Sequence, residues 1–197
     1  VSDTQGPGTR EKLIVAATER LRRQGYAATG LDQVCADAGT SKGSFFHYFK
    51  SKEELAKSCL ENWDAMAAGM VAGAPFQTIE DPVERLQGYM DFFIGLFANP
   101  GMYKSCLVGT TVQEVADSNP VLLEAAQCCF ANAVAGMAPL IDAAAQDRGR
   151  RLDAAALAGL WMATLQGSLL LAKASGDDIS IVVNMQQQRD FIMGLLG

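Results

Sequence analysis

Residues 25–55 read GYAATGLDQVCADAGTSKGSFFHYFKSKEEL. Glycine tolerates the left-handed backbone that ends a helix, so Gly25 predicts the stop of one helix and Gly39 the turn after the next. Between them, Thr29-Gly-Leu-Asp32 reads as a capping box opening a short helix with Leu31, Val34 and Cys35 inward. A second short run, Ser41 to Tyr48, follows at once. Helices of roughly eight residues are marginal alone, so the trio from Thr9 to Tyr48 must pack as one unit, with Gly39 setting the turn between its last two members.

The pattern continues outward on both sides. Upstream, Thr9 is a candidate cap for a helix that buries Leu13, Ala17 and Leu21. Downstream, Ser51-Lys-Glu-Glu54 is a second capping box, opening a long helix to about Gly73 with Leu55, Cys59, Trp63, Met66 and Met70 on one stripe. Asp81-Pro82 and Asn119-Pro120 each combine a cap with a proline in the first turn. They predict helices from Pro82 to the Asn99-Pro100-Gly101 break and from Pro120 to about Gln146, with another from about Tyr103 to Ala116 between them. Asp153 to about Ala174 and Ile179 to Leu196 complete an all-α chain of about nine helices. No stretch alternates apolar and polar residues as a half-buried strand would.

Charge is unevenly placed. The chain carries a formal net charge of -6 and a pI near 4.8, which argues against a protein that coats nucleic acid without specificity. Yet up to Lys57 there are 9 Lys and Arg against 7 Asp and Glu, and beyond it 7 against 15. The front is the only basic part. The 5 cysteines show no C-x-x-C spacing, so neither a disulfide framework nor a zinc site is expected, and a reducing cytoplasm fits. The start, VSDTQGPGTR, lacks the apolar core of an export leader and reads as a flexible arm over residues 1–8. Residues 154–172 are uncharged and long enough to span a membrane, but Thr164, Gln166, Ser168 and glycines interrupt them; a buried or interface helix is expected.

Three short helices with a glycine turn form a helix-turn-helix layout. In such a unit the last helix enters the DNA major groove by its N-terminal end, where Lys42, Gly43 and Ser44 lie. Gly43 lets backbone approach phosphate, Lys42 can donate to a guanine edge, and Thr40 and Ser44 can donate to base or phosphate. Phe45 and Phe49 face the core, Phe46 and His47 the outside, and Lys52 joins a helix N-terminus that attracts phosphate. The competing reading makes the aromatics ordinary core and the lysines a solvated face.

Residues 9–57 closely resemble the DNA-binding domain of TetR-family transcriptional regulators, whose signature runs G-[YF]-x-x-T, a short helix, A-G-x-S-K-G-[ST]-[FL]-Y-x-[YH]-F and then x-S-K-E-x-L. The resemblance implies that Thr29, Thr40, Ser41, Lys42, Gly43, Ser44, Phe46, His47 and Lys52 line double-stranded operator DNA, mostly through phosphates. Phe46 stands where the family commonly has Tyr, so one phosphate-directed hydroxyl is missing. The domains expected are a helix-turn-helix over 9–56 and a regulatory part over 57–197. The resemblance further implies that this part holds a small-molecule effector and pairs its last two helices with a twin subunit, placing two reading heads on a pseudo-palindromic site.

Aromatic and Met residues of the middle helices are either core or the lining of an effector pocket: Trp63, Met66, Met70, Phe93, Phe97, Tyr103 and Trp161, with Thr110, Gln113 and Gln166 as polar partners. Cys106, in YKSCLVGTTVQE, lies near a helix start with Lys104 two residues before it; both features favour thiolate. The stretch Ser105-Cys106-Leu107 with Glu114 resembles a Gly-Cys-Leu and Glu pattern in family members that respond to reactive electrophiles, with Ser in place of Gly, and Lys173 matches a lysine that recurs in their penultimate helix. Cys106 is thus either a thiol sensor, with Lys173 as its companion, or a structural residue, in which case a noncovalent ligand is the effector. Cys35, Cys59, Cys128 and Cys129 fall on or near apolar faces. No catalytic motif, metal-ligand cluster or cofactor loop is present, so no enzyme, cofactor or metal is expected. A helical module that only dimerises remains the alternative to a DNA-binding repressor.

Overall fold

The computed structural model describes residues 8–99 and 105–197. Nine α-helices occur among them: α1 Thr9–Ala28, α2 Leu31–Asp37, α3 Lys42–Tyr48, α4 Lys52–Ala72, α5 Pro82–Ala98, α6 Leu107–Val115, α7 Pro120–Asp147, α8 Ala154–Ser175 and α9 Ile179–Leu196, with a single 3-10 turn at Pro75–Thr78. The expected arm at residues 1–7, and Tyr103 and Lys104, lie outside the described residues.

Side-chain caps set most helix starts. Ser41 Oγ accepts from Ser44 N, and Ser51 Oγ accepts from Glu54 N. Asp81 Oδ1 accepts from both Val83 N and Glu84 N ahead of Pro82, and Asn119 Oδ1 accepts from Leu122 N ahead of Pro120. These bonds satisfy N–H groups that have no partner in the first turn. Two expected caps move by one residue. Gly8, not Thr9, precedes α1. Gly30, not Thr29, caps α2, with Gln33 rather than Asp32 reaching back to Gly30 N at 3.2 Å. Thr29 instead donates its hydroxyl to Gly25 O at 2.6 Å.

The chain packs as two compact units. The first comprises residues 1–66 and 107–129, in which α6 packs against α1 and the first part of α7 joins the same unit. Its core is built from Leu13, Leu21, Val34, Phe45, Phe49 and Leu55, all nearly or fully excluded from solvent. Each such side chain contributes about 1.5–3 kcal/mol through burial. Gly39 holds the left-handed conformation expected of it, φ 63°.

The second unit comprises residues 67–106 and 130–197. Leu86 and Met90 of α5, Met137 and Ile141 of α7, Trp161 and Leu165 of α8, and Ile181 and Met185 of α9 form its core. Phe76, Tyr89, Phe92 and Phe93 make a chain of edge-on and tilted ring contacts at 4.9–5.8 Å. Gly176, left-handed at φ 74°, ends α8 so that α9 can fold back on it. Between those helices Asn184 donates to the buried Ser168 hydroxyl at 3.1 Å. Helices α7 and α8 are long and apolar enough to cross a membrane, but the buried apolar residues of α8 and Met137, Ile141, Ala144 and Ala145 of α7 belong to this core, the place such helices take in a soluble domain.

Candidate nucleic-acid interface

Helix α3 stands on two aromatic feet. Phe45 and Phe49 are sunk in the core of the first unit, and Phe45 meets Phe46 edge-on at 5.0 Å. The four-residue spacing of these feet turns the rest of the helix outward: Ser41, Lys42, Gly43, Phe46 and His47 are exposed, and Ser44 and Thr40 half-buried. A Cβ at Gly43 would meet only Ser41 Oγ, at an ordinary 3.7 Å. Packing within the protein therefore does not require glycine there, and its bare backbone faces outward. Lys42 Nζ sits 2.7 Å from Asp32 Oδ1, an ion pair that joins the first turns of α3 and α2. A row of hydroxyls, a cation and bare backbone at a helix start suits phosphate and base-edge contacts.

The structure does not put Thr29 and Lys52 in that row. Thr29 is 2% exposed and its hydroxyl is bonded to Gly25 O. Lys52 Nζ donates to Tyr26 O at 2.6 Å and Thr29 O at 2.9 Å, and lies 4.3 Å from the centre of the Tyr26 ring. Burial pushes its pKa down, against the pull of the Glu114 charge. Both side chains thus serve the connection between α1 and α2. Glu114 belongs to the same place: its Oε2 accepts from Ala27 N at 2.8 Å. Asp32 and Tyr26 join the site through these contacts, which the capping-box and G-[YF]-x-x-T patterns around them do not indicate.

The candidate effector residues divide between the units. In the first, Trp63 is half-buried beneath the Arg22 guanidinium at 5.2 Å, and Met66 is exposed, accepting from Asn62 at 3.3 Å. Thr110 is half-buried, and Gln113 is exposed with its amide donating to Gly109 O. In the second, Trp161 is 2% exposed and belongs to the core, Phe93, Phe97 and Cys106 pack on that core, Met70 is half-buried, and Gln166 contacts Met162 Sδ.

Cys106 lies immediately before the first residue of α6 and is partly exposed. Lys173 is exposed on the last turn of α8. Cys59 is buried, donates to Ile14 O at 3.6 Å, and has its pKa pushed up to about 11 by burial. Cys35 is buried and shifted upward for the same reason, and Cys129 is also buried. Cys128 departs from its expected apolar surroundings and is exposed. Among the described residues no cluster suited to a metal ion occurs.

The family described as "Bacterial regulatory proteins, tetR family" matches residues 13–59, and that described as "Tetracyclin repressor-like, C-terminal domain" matches residues 82–187, more than half of the chain. The transcriptional regulator AcuR of Cereibacter sphaeroides is 31% identical over 105 residues, 53% of this chain and 48% of its own length. The HTH-type transcriptional repressor NemR of Escherichia coli is 28% identical over 109 residues, 55% of each chain. The chain therefore spans about half the length of these two curated relatives. In structure, a TetR-family regulator from Agrobacterium tumefaciens superposes with a TM-score of 0.81 at 20% identity, over 93% of this chain and 96% of that one. The reduced form of E. coli NemR gives 0.79 at 22% identity, over 92% and 95%. With both halves matched, the chain belongs to the tetR family of bacterial regulatory proteins.

Proposed function

We propose that the chain is a dimeric repressor that reads a pseudo-palindromic duplex through α3 and is released from it by a small-molecule effector. The observation that carries this reading is the exposed first turn of α3, with Ser41, Lys42 and Gly43 held outward by the buried Phe45 and Phe49. Thr40, Ser44, Phe46 and His47 extend that surface, while Thr29 and Lys52 support it from behind. Pairing through α8 and α9 is supported by Leu160, Leu171, Val183 and Phe191, large apolar side chains that are 44–60% exposed on those helices. Two-fold pairing would present two copies of α3 to two half-sites. The reading assigns no catalytic residue, cofactor or metal.

Release needs an effector that binds the DNA-incompetent arrangement more tightly. A coupling of about 1–3 kcal/mol gives several-fold to hundredfold derepression. The position of Cys106, partly exposed at the threshold of α6, favours a covalent effector. Addition of its thiol across an electron-poor carbon–carbon double bond forms one S–C bond and leaves the thiol proton on the neighbouring carbon, with no oxidant required. The second reading, a noncovalent apolar ligand, is favoured by the half-buried aromatic rings of Phe92, Phe93 and Phe97.

Fluorescence anisotropy on DNA upstream of the protein's own gene tests both readings. Binding that weakens steeply with salt and is weaker in Lys42→Ala supports the repressor. Release by N-ethylmaleimide in the parent but not in Cys106→Ser supports the thiol switch; unaltered binding in both makes Cys106 structural and leaves the noncovalent ligand.

A further inference from the structure

Helix α1 is broken three residues before its end. Gly25 takes φ 83° and ψ 176°, a conformation open in practice only to glycine, and a helical turn resumes behind it. Such a break leaves backbone groups without partners inside the helix. Two side chains of opposite charge, each from a different helix, supply them. Lys52 of α4 donates to Tyr26 O and Thr29 O, and Glu114 of α6 accepts from Ala27 N. The carboxylate also fills the space that a side chain at residue 25 would take: a Cβ built on Gly25 would collide with Glu114 Oε1. Its charge acts in turn on Lys52, opposing the effect of burial on the ammonium.

We propose that Glu114 is a latch on the reading head: seated in the Gly25 notch it holds residues 25–29, which feed α2 and α3, in the DNA-competent position, and its withdrawal by a shift of α6 lowers DNA affinity. Glu114 is a positioning residue, acting on DNA through the α1–α2 connection and not by contact. This inference rests on the DNA-binding reading and deepens it, because α6 begins at the residue after Cys106. Whatever displaces the start of α6 moves the carboxylate that holds the break closed.

The test uses DNA selected by the parent protein from a random duplex pool. Glu114→Ala is expected to weaken binding by about tenfold, with its thermal midpoint still well above the assay temperature. Glu114→Gln, which keeps an acceptor for Ala27 N but loses the charge, should fall between. A second measurement needs no variant: if the latched state is the one that binds, linkage requires DNA to slow hydrogen exchange at the Ala27 amide in the parent. A purely structural carboxylate would give there no more DNA-dependent slowing than at amides that exchange by global unfolding.

Parent-like DNA binding by a folded Glu114→Ala, or Ala27 exchange slowed by DNA no more than at those amides, overturns the latch. If Lys42→Ala weakens binding while Glu114→Ala does not, the latch alone falls. If the parent selects no DNA, the DNA-binding reading falls and the latch with it.

Discussion

Lys42 reaches back across the Gly39 turn to Asp32, Nζ to Oδ1 at 2.7 Å, and both side chains are largely exposed. Exposed pairs of this kind contribute little to stability. Their effect falls on recognition, since a phosphate must compete with Asp32 for the same ammonium and approach the aspartate's charge as well. Asp32→Asn should tighten DNA binding several-fold and relax discrimination between sequences. Lys42→Ala should weaken binding and reduce the slope of log affinity against log salt by about one. Anisotropy titrations at several salt concentrations read both effects.

Phe45 is fully buried beneath α3, and the helix is only seven residues long. Removing the ring leaves a cavity at one of the two aromatic side chains that fix this helix to the core. Phe45→Ala is expected to cost about 3–5 kcal/mol in urea unfolding. Phe46→Ala, at a 56% exposed position, should leave stability nearly unchanged, so the two neighbours separate packing from surface.

Cys59 gives the first unit an alkaline weakness. Its folded pKa near 11 stands above the ordinary 9.0, so the folded state keeps a proton that the unfolded chain loses. The associated stability is complete below pH 9 and is lost as pH rises through 11, about 2–3 kcal/mol in all. Urea midpoints followed between about pH 8 and 10 should fall in the parent and fall less in Cys59→Ala. The same burial predicts that iodoacetamide labels Cys59 only after unfolding, while the exposed Cys128 reacts in the native protein.

A charge placed on the exposed α9 face should break the proposed pairing. Val183 is 47% exposed there, and Val183→Lys is expected to raise the dimer dissociation constant at least tenfold, about 1.4 kcal/mol, in sedimentation equilibrium. DNA binding would then lose its cooperativity.

The local signals in the sequence are legible because their causes are local, although α1 resumes behind the expected stop at Gly25 and runs to Ala28. Gly39 and Gly25 do take left-handed backbone, Ser41, Ser51, Asp81 and Asn119 do cap, and Phe45 and Phe49 do face inward. The misassigned cap at Thr29 is instructive. Its hydroxyl has two acceptable uses, starting α2 or closing the Gly25 break, and only the geometry of the break selects the second. Lys52 was misplaced for a similar reason, as its carbonyl partners lie 23 and 26 residues upstream. The Glu114 contact joins residues 87 apart, so no periodicity could reveal it. Resemblance marks position 114 but does not indicate what the carboxylate touches.

The near collision of residues 25 and 114 also bears on how the sequence can drift. A side chain at 25 meets the carboxylate, and a shorter residue at 114 removes the acceptor for Ala27 N, so neither position has an independent path of change. Lineages descended from a common ancestor with this chain should keep both residues, Gly25 for its backbone as well as for the space, while nearby solvent-facing positions such as 28 and 113 wander freely.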